Sequence, residues 1–76
     1  MDWRERIILD PKILAGKPVI RGTRLSVEFV LSLLAAGWTE QQLLANYPCL
    51  TDADIRACFA YATEALGEER VYPLPA

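Results

Sequence analysis

The stretch AGKPVIRGTR, residues 15–24, sets Lys17, Arg21 and Arg24 around two glycines in a chain whose formal net charge is −2. Three cations about one turn are suited to an anion, either nucleic-acid phosphates or the carboxylates of a partner protein. The stretch is not a nucleotide-binding P-loop. That loop needs Gly-Lys-Ser/Thr opening a helix, and here Pro18 follows Lys17. In a hairpin closed at Gly22-Thr23, as a type II′ turn with Gly22 first, Arg21 and Arg24 would stand directly cross-strand. Like charges so placed destabilise a hairpin, and an anion between them would relieve the cost. A hairpin whose basic residues only face water accounts for the same residues equally well.

Catalysis has little to work with. The chain has no histidine, which removes the commonest general base and metal ligand. Cys49 and Cys58 do not form a Cys-x-x-Cys pair, and two thiols alone do not hold zinc. Cys58 falls on an apolar helical stripe and reads as a small core hydrophobe. Asp52 and Asp54 sit where a helix start already explains them. No catalytic residue, metal or cofactor is expected.

The charge is divided along the chain. Residues 1–24 carry six cations against three anions, a balance of +3, and residues 25–76 carry two against seven, a balance of −5. The basic part is fit to face nucleic acid and the acidic part is not. With 76 residues the chain makes one small domain, and a core of that size yields only about 3–5 kcal/mol unaided. Two cysteines are too few for a disulfide framework, so a homodimer is the expected staple. The opening MDWRERIILD is charged and its apolar run is short, so no signal sequence is read. No stretch approaches the roughly 20 apolar residues that span a bilayer. A soluble cytoplasmic protein with no membrane partner is the expectation.

These residues must be positioned by a small number of elements. Ile7-Ile8-Leu9 and Val19-Ile20-Arg21 read as strands, with Pro18 at a strand start or edge. Arg24-Leu25-Ser26-Val27 returns as a second hairpin strand or leads directly into a helix. Helix 1 starts near the N-cap Ser26 and buries Val27, Val30, Leu31 and Leu34, and Gly37 ends it. Its second stripe, Phe29, Leu33 and Ala36, is more than a surface helix needs, so the helix is central or lies at a subunit contact. Helix 2 starts at Thr39 with a capping box to Gln42 and stops before Pro48. Helix 3 starts at Thr51, carries Ile55, Cys58, Phe59, Ala62 and Leu66 on one face, and closes at Gly67. The division is a basic β-hairpin arm (1–25), a three-helix helix-turn-helix bundle (26–67) and a C-terminal tail (68–76). The fold class is mostly α.

In that arrangement the DNA-binding candidates are Lys17, Arg21, Thr23 and Arg24 of the turn, with Thr51 and Arg56 at the start of helix 3, the end that would enter a major groove. Asp52 and Asp54 make helix 3 a weak reader, which leaves the hairpin to supply most of the electrostatic grip. Arg70, Val71, Tyr72 and Leu74 of the tail are candidate anchors for a protein partner. A frayed terminus is the commoner reading of such a tail.

Taken together, LDPKILAGKPVIRGTRLSV and LLAAGWTEQQLLANYPCLTDADIRACFAYA resemble the small bacterial proteins of domain of unknown function 433, over residues 8–66. Leu25-Ser26 stands where such sequences often carry Ile-Pro. The resemblance implies a homeodomain-like three-helix fold with an N-terminal β element. It also implies the antitoxin of a toxin–antitoxin pair that neutralises a PIN-like ribonuclease toxin and binds its operator DNA as an autorepressor. The alternative is a protein-interaction module whose basic hairpin grips an acidic partner surface without binding DNA.

Overall fold

The computed structural model describes residues 2–67. Two short strands come first, β1 (Ile7–Ile8) and β2 (Val19–Ile20), followed by three helices: α1 (Val27–Ala35), α2 (Glu40–Asn46) and α3 (Asp52–Leu66). Single 3-10 turns lie at Trp3–Glu5 and Leu14–Gly16. The fold is mostly helical with an antiparallel hairpin near the N-terminus, as the sequence implied.

Local chemistry sets each helix end. Ser26 Oγ accepts the Phe29 amide at 3.0 Å and opens α1. Gly37, at φ 104°, closes it: its N–H reaches the Leu34 carbonyl and the Trp38 N–H reaches that of Leu33, the paired bonds of a Schellman ending. Thr39 and Gln42 form a complete capping box at α2, and Thr51 and Asp54 form another at α3. Residues 47–51 connect α2 to α3, and these two helices are the helix-turn-helix pair.

The core gathers one or more residues from both strands and all three helices: Ile7 and Ile20 from the strands, Val27 and Val30 from α1, Leu43 from α2, and Ile55, Ala57 and Cys58 from α3. Trp3 and Leu50 complete it. Each fully buried aliphatic side chain contributes about 1.5–3 kcal/mol by leaving water.

The hairpin differs from the expected one. β2 pairs with β1, in the register Ile7↔Ile20 and Ile8↔Val19, rather than forming a ladder with residues 24–27. Only one bridge, Val19↔Ser26, survives on that second side, and the chain passes directly into α1. The reason lies in the turn. Thr23 N–H and Thr23 Oγ1 both donate to the Ile20 carbonyl, at 3.0 and 2.8 Å, and the Leu25 N–H donates back to Thr23 Oγ1 at 3.0 Å. Gly22 therefore occupies the third turn position, at φ 80°, as a type II turn requires, and not the first central position of a type II′ turn.

Two helical stripes are resolved more finely by the structure. On α1, Leu33 of the second stripe packs on the core, while Phe29 meets Tyr47 edge-on at 5.8 Å and stays exposed with Ala36, so the stripe is divided between this chain and the surface. On α3 the buried face is Asp54, Ile55, Ala57 and Cys58, while Phe59 and Leu66 are 43% and 73% exposed. The N-terminal turn at Trp3–Glu5 packs against α3, and this cover shifts the helix's buried side.

Candidate functional site

The basic turn is ordered largely by bonds to its own chain. Arg21 N–H donates to the Arg6 carbonyl at 2.7 Å, and its Nε donates to the Glu5 carbonyl at 3.1 Å. Arg21 is thereby drawn toward the β1 side, and no ladder pair holds it against Arg24. Lys17 Nζ lies 3.3 Å from Glu28 Oε2, an exposed pair of small energetic worth. The Thr23 hydroxyl is spent on the turn. Arg24 is exposed and makes no side-chain hydrogen bond or ion pair among the described residues.

The front of α3 is committed still more completely. Thr51 Oγ1 accepts the Asp54 amide at 3.2 Å, and Asp54 Oδ2 accepts the Thr51 amide at 3.0 Å. The other Asp54 oxygen takes Arg6 NH1 at 3.1 Å, and only 6% of Asp54 is exposed. Arg56 Nε pairs with Asp52 Oδ2 at 3.0 Å, one helical turn away. Glu5, Arg6, Arg21 and Asp54 thus line one small polar recess that ties the hairpin to the helix-turn-helix. Deeper in α3, burial first and the charge of Asp54 second push the Cys58 thiol up to about 12, so it stays protonated at neutral pH.

The surface left open lies at the other end of α3. An apolar groove of about 610 Å³ runs between α1 and α3. Val27, Leu31 and Ala35 form one wall, four residues apart on a single helical face, and Tyr61, Ala62, Ala65 and Leu66 form the other. Pro18, Glu28 and Ser32 complete the lining. Sequence periodicity placed Leu31 and Leu66 in the core and so missed this groove. The signal available was the surplus of apolar positions on α1 together with the alanines of α3.

Beside the groove, the N-terminal turn fastens to α3. Trp3 Nε1 donates to Glu64 Oε2 at 2.6 Å, Arg4 NH2 donates to Glu64 Oε1 at 2.7 Å, and the Trp3 ring meets Tyr61 edge-on at 4.9 Å. The Trp3 hydrogen bond, then that of Arg4, holds the Glu64 carboxyl below its ordinary range. The bond to Glu64 likewise raises the Arg4 guanidinium. The tail candidates Arg70, Val71, Tyr72 and Leu74 lie outside the described residues.

Structure and surface together define a small three-helix domain with an N-terminal hairpin, a closed polar junction at the front of α3 and an apolar groove at its back. The chain belongs to the family described as "Protein of unknown function (DUF433)", whose model matches residues 7–62. It is 38% identical over 71 residues to the uncharacterized protein y4eO of Sinorhizobium fredii, a match that takes in 91% of this chain. A crystal structure of a DUF433 member protein from Anabaena variabilis superposes with a TM-score of 0.75 at 34% identity, covering 78% of this chain. The chain spans 32% of the length of the Sinorhizobium relative and 58% of the solved Anabaena chain. No helix among the described residues is long and apolar enough to cross a membrane.

Proposed function

We propose that this chain is a non-enzymatic antitoxin that works first by protein contact, neutralising a PIN-like ribonuclease toxin through the groove between α1 and α3. The observation that carries the reading is the contrast in availability. The groove is open and apolar, while Thr51 and Asp54 at the front of α3 are taken up by bonds within the chain. Exposed apolar surface of this kind is where a partner's side chains gain most by leaving water. The acidic balance of residues 25–76 suits a protein partner better than a polyanion. The test is titration of the purified chain against the ribonuclease, with an Ala35→Glu variant alongside. The variant should fold, lose inhibition and weaken binding at least about tenfold, the effect of 1.4 kcal/mol. Unchanged inhibition would overturn the groove as the inhibitory surface.

A second reading, operator binding as an autorepressor, is favoured by Arg24, exposed and without a side-chain partner among the described residues, with Arg21 and Lys17 beside it in the chain. In a homodimer, which a core this small favours, two such turns would neutralise about six phosphates and give a log–log salt slope near −5. Thr51 would add little, since its hydroxyl caps α3, whereas Arg56 is exposed and its pair with Asp52 is as weak as that of Lys17 with Glu28. Fluorescence anisotropy on the upstream DNA at two salt concentrations decides it. Binding abolished by Arg21→Glu with Arg24→Glu supports the repressor, and equal affinity for an unrelated duplex removes it.

A further inference from the structure

We propose that the recess lined by Glu5, Arg6, Arg21 and Asp54 is a recognition site for an aspartate or glutamate side chain of a protein partner, whose carboxylate bridges the Arg6 and Arg21 guanidinium groups. The site is separate from the groove: it lies toward the opposite end of α3 and takes a charged group instead of an apolar one.

β1 and β2 pair in the register Ile7↔Ile20 and Ile8↔Val19. One residue further along, that register sets Arg6 opposite Arg21, and the Arg21 N–H, donating to the Arg6 carbonyl at 2.7 Å, fastens the two backbones there. Like charges directly opposite each other destabilise a strand pair. The repulsion read from the sequence between Arg21 and Arg24 therefore falls between Arg21 and Arg6. Half of it is answered within the chain. Asp54, its side chain only 8% exposed, accepts Arg6 NH1 at 3.1 Å on one oxygen and the Thr51 amide on the other. Arg21 has no carboxylate partner among the described residues: its Nε donates to a carbonyl, that of Glu5, at 3.1 Å.

Each guanidinium is thus held by one side-chain bond and keeps other N–H groups available, since it carries five donors in a fixed plane. Two guanidinium groups already positioned lose little further freedom on gripping a ligand, and each offers a carboxylate charge-assisted bonds. The recess holds about 290 Å³. That is several times the share of a water molecule, about 30 Å³, and admits a carboxylate with part of its side chain. Glu5 decides between a carboxylate and DNA. Its exposed carboxylate makes no ion pair among the described residues, so it does not already occupy the place between the arginines. A duplex, with one charge per about 1.7 Å, would bring further phosphates against Glu5 and against exposed Asp52 at the start of α3. An aspartate or glutamate side chain brings a single charge.

The test uses the full chain with neither toxin nor operator present, so a failure here leaves both of those readings standing. Sodium acetate is the carboxylate probe, titrated against sodium chloride at matched ionic strength and neutral pH while the arginine side-chain Nε–H signals are followed by NMR. The Arg6 and Arg21 signals should move together and saturate in acetate. Those of Arg4 and Arg56, exposed arginines already paired, should move no more than in chloride. Arg21→Gln, which leaves every core residue in place, should raise the half-saturating acetate concentration read at Arg6 at least about tenfold. Arg21→Lys keeps the charge without the planar fork and should fall between the two. A linear response shared by all the arginines overturns the proposal, as does an Arg21→Gln variant that saturates like the parent. Saturation by a short DNA duplex but not by acetate also overturns it and assigns the recess to phosphate.

Discussion

The first two turns of α3 and its last two belong to one helix, yet the rest of the chain treats them in opposite ways. At the front, the capping box, the Arg6 ion pair and the burial of Ile55, Ala57 and Cys58 use nearly every group the helix presents. At the back, Tyr61, Ala62, Ala65 and Leu66 form one wall of an open groove. In a DNA-reading helix-turn-helix the front would have to be free. Here the front is where the hairpin and the helix pair are joined through Arg6 and Asp54, which makes it a structural junction, while the back carries only the clasp of the N-terminal turn on Glu64 and Tyr61 beside the open groove.

The contrast can be broken most forcefully at Ile55. An Ile55→Ala change should cost about 2–5 kcal/mol in urea unfolding, whereas Leu66→Ala should cost less than about 0.5 kcal/mol. Similar costs at both sites would mean that the back of α3 is not open. Next comes Asp54→Ala, which removes a cap and leaves Arg6 without its carboxylate, for about 2 kcal/mol. A loss no larger than that of an ordinary surface change would show that the junction does not hold the front in place.

Ala35→Glu probes the groove without touching the core. Its stability cost should stay within about 0.5 kcal/mol, sharpening the division between groove and junction. A larger loss would place the groove wall inside the folding core. The smallest effect is expected at Glu64. Its folded-state carboxyl is lowered by Trp3 and Arg4, so its contribution is present above the ordinary carboxylate value and is lost as pH falls through the lowered one. Glu64→Gln should therefore flatten the acid side of the stability–pH curve and leave the neutral difference between variants constant. An unchanged acid slope would show that the clasp adds nothing.

The helices were legible because their boundaries are local. Ser26, Thr39 with Gln42, Thr51, Gly37 and Gly67 each mark an end through bonds spanning only a few residues. The β1–β2 pairing was not legible in the same way. The GlyThr signal at 22–23 reads equally as the first kind of turn or the second, and what selects between them is the distant segment at Ile7–Ile8 competing for β2. The candidate site divides along the same line. The cations of the turn were visible as a cluster, but Arg6 meets Asp54 across 48 positions and Trp3 meets Glu64 across 61. Neither spacing leaves a trace in periodicity. The groove was hidden because an apolar stripe looks alike whether this chain or something else covers it.

The bond from Trp3 to Glu64 also has a consequence for synthesis. Trp3 finds its partner only when Glu64, 61 positions later, has been made, and Arg6 must wait for Asp54. A contact of such sequence separation forms late, after the loop between its ends has been closed. Until α3 has left the ribosome, Trp3 lacks the Tyr61 ring and the Glu64 carboxylate that it packs against and bonds to. The same contact therefore distinguishes a chain that includes α3 from one that stops before it.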